Sequence, residues 1–146
     1  MKDYDYIIVG AGSAGSVLAN RLSEDPANKV LLIEAGGSDR RFFIQMPIGY
    51  GVTYHQKTVN WMYMTEPSPD ADNKPSYWPR GKVMGGSSSI NAMVYVRGNP
   101  KDFDEWSEAG NPGWSYKEVL PYFKKMESWQ NGADNFRGGD GPLNVS

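Results

Sequence analysis

A glycine-rich turn between two apolar segments constrains the fold of this 146-residue chain more than any other feature of its sequence. Residues 4–9 are mostly β-branched or aromatic, which is typical of a buried strand. The turn at residues 10–15 has the pattern Gly-x-Gly-x-x-Gly, and small and apolar residues recur at helical spacing after it. Residues 29–33 predict a second buried strand, which ends at Glu34. The sequence therefore predicts an α/β protein that begins with a Rossmann-like β–α–β unit.

The three glycines of the turn suit a bound diphosphate, each for its own reason. Gly10 allows a tight turn, Gly12 lets the main chain approach a pyrophosphate without a Cβ atom in the way, and Gly15 lets the helix pack close to the strand. The helix begins at about Ser13 and Ala14, where free N–H groups and a partial positive charge favour an anion. These five residues form the first part of a predicted dinucleotide site.

The acidic residue that ends the second strand predicts the adenosine side of the same site. Glu34 lies nineteen residues after Gly15, a spacing at which a carboxylate accepts both ribose hydroxyls of adenosine, and Ala35 follows it. A carboxylate there would repel a 2′-phosphate, which argues against NADP. A glycine-rich turn without a ligand is the alternative, and these residues alone leave FAD and NAD undecided.

The rest of the chain predicts a long irregular segment followed by two helices. Residues 38–79 are interrupted by proline and glycine, and a loop of this length is typical of a segment that extends over a ligand. A short strand is possible at residues 60–65. Asn99 and Ser115 are the expected N-caps of the two C-terminal helices, and residues 142–146 predict the start of a strand.

A second glycine-rich stretch, residues 81–91 (GKVMGGSSSIN), narrows the choice of cofactor. It belongs to residues 77–98 (YWPRGKVMGGSSSINAMVYVRG), which together with residues 9–24 (VGAGSAGSVLANRLSE) and 139–146 (GDGPLNVS) resembles the glucose–methanol–choline (GMC) oxidoreductases, above all those of the choline-dehydrogenase type. The resemblance extends through essentially the whole chain. It implies that residues 1–146 are the N-terminal part of an FAD-binding domain, still incomplete, with the substrate domain absent apart from the possible strand at the C-terminal end.

The resemblance also implies which residues of the second stretch hold the flavin. Residues 80–89 are expected along the diphosphate and ribityl chain, and residues 91–94 beside the isoalloxazine ring, where polar groups stabilise the charge of the reduced flavin. The hydroxyl and N–H groups of Ser87, Ser88 and Ser89 are expected to be donors to the cofactor. The residues assigned to this part of the site are Trp61, Arg80, Gly81, Val83, Met84, Gly85, Gly86, Ser87, Asn91, Ala92, Met93 and Val94. With Trp61, the residues Tyr63, Tyr77 and Trp78 are candidates for the wall of a flavin or substrate cavity. Two alternatives stay open: a small-residue bend packed under the sheet for the stretch, and a place in an aromatic core under the long loop for these four residues.

One departure from the family pattern bears directly on the cofactor. Ile90 stands where some members carry a histidine that bonds covalently to FAD, so we expect FAD to be bound without a covalent link. Met84 stands where leucine is more frequent, and an apolar exchange of similar volume should be tolerated.

By resemblance, the complete enzyme oxidises the CH–OH group of a small alcohol. A histidine in the far C-terminal part takes the hydroxyl proton while hydride passes from the carbinol carbon to flavin N5. We find no residue that matches this motif here, assign no catalytic residue, and expect this chain alone to be inactive. The single histidine, His55, is expected to be a loop residue. A stand-alone adenine-dinucleotide-binding module and an inactive truncated fragment are the alternatives, and the alcohol, the electron acceptor and the oligomeric state are left open.

Composition limits the other classes of function. A formal net charge of −2 predicts neither nucleic acid nor an anionic membrane surface as a partner. The sequence has no cysteine, which excludes disulfides and thiolate metal sites. Without an apolar run long enough for a signal or membrane segment, a cytoplasmic protein, at most peripheral to a membrane, is expected. Arg97 is expected to be a surface ion, and the two visible strands are expected to leave sheet edges and apolar faces exposed.

Overall fold

A computed structural model describes residues 3–146, which divide after Val94 into two compact units. The N-terminal unit contains strands β1 (Tyr6–Val9), β2 (Val30–Ile33), β3 (Tyr63–Met64) and β4 (Tyr77–Trp78) and helices α1 (Ser13–Leu22), α2 (Phe42–Gln45) and α3 (Tyr50–Thr53). The C-terminal unit contains α4 (Pro100–Glu108), α5 (Tyr116–Met126), β5 (Glu127–Trp129) and β6 (Leu143–Val145). The predicted α/β class is therefore confirmed. Within residues 3–146, no helix is both long and apolar enough to cross a membrane.

The predicted β–α–β unit opens the fold. Strands β1 and β2 are parallel, with Tyr6 opposite Val30 and Val9 opposite Ile33, and α1 connects them. A parallel sheet is normally covered on both faces and continued by further strands. Here the sheet has two strands, and Val9 is 84% exposed. The expected exposure of apolar strand faces is therefore present.

The segment from residue 38 to residue 79 is more regular than predicted. It contains α2, α3 and a 3-10 turn at Pro47–Gly49, each only one turn long, so the spacing of apolar residues cannot reveal them. The strand expected at residues 60–65 is shortened to β3, which pairs antiparallel with β4. Met62 adopts a φ of +56°, in the left-handed region, and this interrupts the extended chain before β3.

A small apolar core anchors the second glycine-rich stretch in the N-terminal unit. Val59 and Val83 are fully buried, Ile90 is 7% exposed, and Ile44 packs against them. Val83 and Ile90 belong to residues 81–91, so this core fixes the stretch near both of its ends.

Both predicted C-terminal helices are present with their caps. The Asn99 side chain accepts an N–H of the first turn of α4 at 3.0 Å. At α5 the Glu118 carboxylate accepts hydrogen bonds from the N–H (3.2 Å) and the hydroxyl (2.6 Å) of Ser115. Phe103 of α4 and Phe123 of α5 pack edge to face, with ring centres 5.8 Å apart. The strand expected near residue 143 is confirmed as β6, which pairs in parallel with β5, a strand that sequence reasoning missed.

The prediction for Arg97 was wrong. Its side chain is only 10% exposed and forms an ion pair with Glu127, whose side chain is fully buried. The second oxygen of Glu127 lies 2.8 Å from Nη2 of Arg137, and the Gly138 N–H donates to the same carboxylate at 2.9 Å. Glu127 lies 30 residues from Arg97, so nothing in the local sequence around the arginine reveals its partner.

Candidate functional site

The glycine turn lies at the carboxyl end of the two parallel strands. Gly10 has a φ of +95°, a conformation that favours glycine, and its N–H donates to the Ile33 carbonyl at 2.7 Å. A Cβ atom on Gly15 would lie 1.9 Å from the Gly10 carbonyl oxygen. Only glycine therefore lets α1 begin so close to the turn.

The N-terminus of α1 is suited to an anion. The helix has ten residues and Gly12 as its N-cap, a residue that has no side chain with which to cap the helix. Its first turn, Ser13–Ser16, carries no charged side chain. The Ser16 N–H donates to the Gly12 carbonyl at 2.9 Å. The N–H groups of Ser13, Ala14 and Gly15 and the positive end of the helix dipole therefore keep their capacity to stabilise a negative charge.

Glu34 connects the end of β2 to the glycine turn. Its Oε2 accepts the Ala11 N–H at 2.7 Å, and its Oε1 accepts the Gly36 N–H at 2.8 Å. Ala11 is fully buried in the middle of the turn, so its bond to the Glu34 carboxylate holds the turn in place. A carboxylate has about four acceptor positions, and these two bonds leave each oxygen able to accept one more hydrogen bond.

The two glycine-rich segments touch each other. Gly12 and Gly85 form a parallel bridge, and the Gly85 N–H donates to the Ala11 carbonyl at 2.8 Å. A Cβ atom on Gly86, which has a φ of +58°, would lie 2.8 Å from the Gly12 Cα. A 3-10 helix at Gly86–Ser89 then begins beside the start of α1. The predicted convergence of the two segments on one place is therefore present.

These segments enclose one side of a cleft of about 500 Å³, here called the Glu34 cleft, a volume within the range of small-molecule sites. Nine predicted site residues line it: Gly10, Gly12, Glu34, Ala35, Trp61, Arg80, Gly81, Gly86 and Ser87. Its other lining residues are Val9, Ile33 and Tyr63. Tyr63, a candidate wall residue that was not among the assigned site residues, is therefore part of this lining together with Trp61.

Two aromatic rings form part of the wall of the Glu34 cleft. The rings of Trp61 and Tyr63 lie nearly parallel, with centres 5.9 Å apart and planes at 6°. The Lys82 ammonium lies 4.4 Å from the centre of the Trp61 ring, a cation–π contact. Trp61 is 41% exposed. It is therefore a residue of the cleft wall and not of an aromatic core.

The serines of the second stretch differ from the expectation. Ser88 Oγ donates to the Gly85 carbonyl and Ser89 Oγ to the Met84 carbonyl, both at 2.6 Å, so these two hydroxyl protons are already used inside the protein. Ser87 Oγ instead accepts the Gly81 N–H at 3.0 Å and lines the cleft, which leaves its proton available. Local main-chain acceptors thus satisfy the hydroxyls of Ser88 and Ser89, which would have to give up these bonds to donate to a cofactor.

The other predicted site residues lie outside the Glu34 cleft. Ser13, Ala14 and Gly15 belong to α1, Gly85 bridges the two segments, and the side chain of Val83 is in the core. Asn91 and Met93 line a second, smaller cavity of about 190 Å³, together with residues of α2. Asn91 Oδ1 accepts the Met93 N–H at 2.9 Å, and Met93 has a φ of +58°. Met84, Ala92 and Val94 are exposed residues of the same stretch.

The donor set of the Glu34 cleft fits an adenine dinucleotide. A helix N-terminus, a carboxylate with spare acceptor positions, an aromatic wall and the cation Arg80 are the groups that a diphosphate, a ribose and flat rings require. His55, by contrast, is an exposed loop residue stacked on Tyr77, with ring centres 5.9 Å apart. Residues 3–146 contain no cluster of three histidine, aspartate or glutamate side chains that could hold a metal ion.

Comparison with known proteins gives consistent results. The family model described as GMC oxidoreductase matches residues 4–146. An oxygen-dependent choline dehydrogenase of Vibrio vulnificus is 57% identical over 144 residues, which cover 99% of this chain and 26% of that protein. The protein of the same name from Photobacterium profundum is 56% identical over 140 residues, covering 96% of this chain and 25% of the relative. This chain thus spans about a quarter of the length of these relatives.

Solved structures show the same similarity. Pyridoxine 4-oxidase from Mesorbium loti superposes with a TM-score of 0.84 at 42% identity, over 97% of this chain and 28% of the other. An FAD-dependent oxidoreductase from Chaetomium thermophilum gives 0.74 at 37% identity over 97% of this chain and 26% of the other. A formate oxidase gives 0.78 at 32% identity with the same coverage.

Proposed function

Because this chain belongs to the GMC oxidoreductase family, we propose that it is part of the FAD-binding domain of a flavin-dependent alcohol oxidoreductase. The observation that carries the proposal is the contact between Gly12 and Gly86 beside the Glu34 cleft. One segment supplies a helix N-terminus and the other a main chain without side chains at Gly85 and Gly86, and they converge where one extended cofactor would be bound.

The α1 turn is the proposed diphosphate site. N–H groups at Ser13, Ala14 and Gly15 and the helix dipole stabilise its negative charge, and Gly12 allows close approach. Arg80 and Ser87 line the Glu34 cleft, as does the N-cap Gly12, and they add a positive charge and a hydroxyl donor beside the turn. The predicted site residues near the turn thus act by binding and orientation.

Glu34 is the proposed ribose ligand. Its oxygens each hold one main-chain N–H and can accept one ribose hydroxyl in addition. The same carboxylate would repel a 2′-phosphate, so NADP should be excluded. Because Glu34 also fixes Ala11, ribose binding and the shape of the turn depend on one side chain.

The second stretch is the proposed flavin side of the site, with Asn91, Ala92, Met93 and Val94 beside the ring. When bound, FAD supplies the hydride acceptor at N5. Ile90 is an apolar core residue without a nucleophilic atom, which supports FAD binding without a covalent link. No catalytic acid or base is assigned to residues 3–146. The proposed substrate is a small alcohol, and the names of the similar choline dehydrogenases favour a choline-like one.

Equilibrium dialysis of the 146-residue chain against FAD, NAD and NADP tests the proposal. We expect FAD to bind most tightly, with retained flavin absorbance, and NADP to bind least. Tighter binding of NAD would favour a stand-alone dinucleotide module, and failure to bind any of the three would favour an inactive fragment.

A matched pair of variants tests whether FAD binding depends on the contact between Gly12 and Gly86. Gly86→Ala places a Cβ atom 2.8 Å from the Gly12 Cα, whereas Gly132→Ala also introduces a side chain at a positive φ, here +86° against +58°, but with open space around it. Only Gly86→Ala should weaken FAD binding. Equal effects of the two variants would contradict the proposed role of the contact.

A further inference from the structure

Asn60 is a buried amide whose hydrogen-bonding capacity is fully used. It is 1% exposed. Its Nδ2 donates to the Tyr54 carbonyl at 2.8 Å and to the Tyr77 hydroxyl at 3.2 Å. Its Oδ1 accepts the Met62 N–H and the Arg80 N–H, both at 2.9 Å. An asparagine has two donors and two acceptor positions, and all four are occupied.

The acceptor half of this amide shapes the wall of the Glu34 cleft. Trp61 lies between Asn60 and Met62, and its N–H donates to the Arg80 carbonyl at 2.8 Å. The bond from Met62 N–H to Oδ1 closes a turn in which Met62 has a φ of +56°, a conformation that costs a non-glycine residue energy. Trp61 and Arg80 both line the cleft. Asn60 Oδ1 thus holds both main-chain segments that carry these wall residues, at Met62 next to Trp61 and at Arg80.

The donor half of the amide, Nδ2, makes contacts outside the cleft wall. Nδ2 contacts the carbonyl of Tyr54, the C-cap residue that follows α3, and the Tyr77 hydroxyl, which itself donates to the Tyr54 carbonyl at 2.6 Å. These contacts join α3 to β4 and involve neither Trp61 nor Arg80. The two halves of one amide can therefore be separated by mutation.

We propose that Asn60 is a positioning residue for the cofactor, because its Oδ1 holds Trp61 and Arg80 in the wall of the Glu34 cleft. This inference rests on the proposed function of that cleft. A purely structural role would make FAD affinity follow overall stability, whichever half of the amide is lost. A positioning role makes affinity depend on the acceptor half alone.

The test compares four variants of the 146-residue chain by FAD dialysis, by the visible circular dichroism of the bound flavin, and by urea unfolding. Asn60→Ala removes both halves of the amide. Tyr77→Phe is the matched control, since it removes the hydroxyl contact of the donor half and leaves Oδ1 in place. Asn60→Asp keeps an acceptor oxygen but loses the donors. Asn60→Ala combined with Met62→Gly supplies a residue that adopts a positive φ without help.

We expect Asn60→Ala to raise the Kd for FAD about tenfold and to alter the dichroism of the flavin, while Tyr77→Phe lowers stability but changes the Kd by less than about twofold. The added Met62→Gly should recover at least about threefold of the loss, because glycine restores the turn. Equal losses of affinity in Asn60→Ala and Tyr77→Phe would overturn the inference, as would the absence of rescue. If Asn60→Ala does not fold, Asn60→Asp decides: a Kd within about threefold of the wild type supports the inference, and a rise of about tenfold overturns it.

The outcome also separates this inference from the function on which it rests. If the wild-type chain binds FAD and Asn60→Ala binds it equally well, only the role of Asn60 is wrong. If the wild-type chain does not bind FAD, the proposed function and this inference both fail.

Discussion

Replacement of Gly15 by alanine should move the start of α1 and weaken both the fold and the cofactor site. The new Cβ atom would lie 1.9 Å from the Gly10 carbonyl oxygen and 3.3 Å from Cγ2 of Ile8. The oxygen belongs to the main chain, so either the turn or the helix must move by about 1 Å, an overpacking that typically costs about 1–3 kcal/mol. Alanine gains about 1 kcal/mol over glycine in a helix. Because the contact is with rigid main chain, we expect a cost at the upper end of this range, about 3 kcal/mol, and after subtraction of the helix gain a net loss of about 2 kcal/mol in the free energy of unfolding.

Urea unfolding of Gly15→Ala beside Gly51→Ala measures this effect. Gly51 also lies in a helix, but a Cβ atom there would meet no heavy atom within 4 Å, so the same exchange should be neutral or stabilise by up to about 1 kcal/mol. Gly15→Ala should also weaken FAD binding about tenfold or more, because the N–H groups of α1 move away from the diphosphate. Equal unfolding free energies and equal FAD affinities in the two variants would refute the reasoning.

Two further predictions concern the C-terminal unit. Glu127→Gln leaves two arginines without their buried carboxylate and should cost about 3 kcal/mol of unfolding free energy. The control Glu105→Gln breaks the exposed pair with Lys101 on α4 and should cost less than about 0.5 kcal/mol. Similar losses of the two variants in urea unfolding would contradict this prediction. Ser115→Ala should raise the pKa of Glu118 in an NMR titration, because the Ser115 hydroxyl and then its N–H hold that pKa below its ordinary value. Because the folded-state pKa of Glu118 is lowered, the stabilisation that its ionised form contributes is present above the pKa of the unfolded chain and disappears as the pH falls through the folded-state pKa. An unchanged Glu118 pKa in Ser115→Ala would rule out the Ser115 hydroxyl as a cause of the lowering.

The β–α–β unit and the helix caps could be predicted because each depends on neighbouring residues. The requirement for glycine at Gly15 follows from the strand–turn–helix order alone. The Ser115–Glu118 box is a spacing of three residues, and it is present as expected. The convergence of Gly12 and Gly86 came instead from family resemblance, since nothing local connects residues so far apart.

Features that depend on residues far apart along the chain could not be predicted from the sequence. Strand β5 has three residues and pairs with β6 across a long loop, so no periodicity reveals it. Arg97 was misjudged because Glu127 lies far along the chain. Asn60 gave no sign of its role, because a buried asparagine with four partners and an exposed one look the same in a sequence. The hydroxyls of Ser88 and Ser89 were assigned to the cofactor without regard to the carbonyl groups beside them.

An NMR titration of the isotope-labelled chain with FAD tests most directly whether the two glycine-rich segments hold one cofactor. The account predicts that the amide signals of Gly12 and Gly86 shift together and yield the same Kd, while the amide of Gly132 in the other unit stays unchanged. A shift of only one of the two glycines, or two clearly different Kd values, would contradict it.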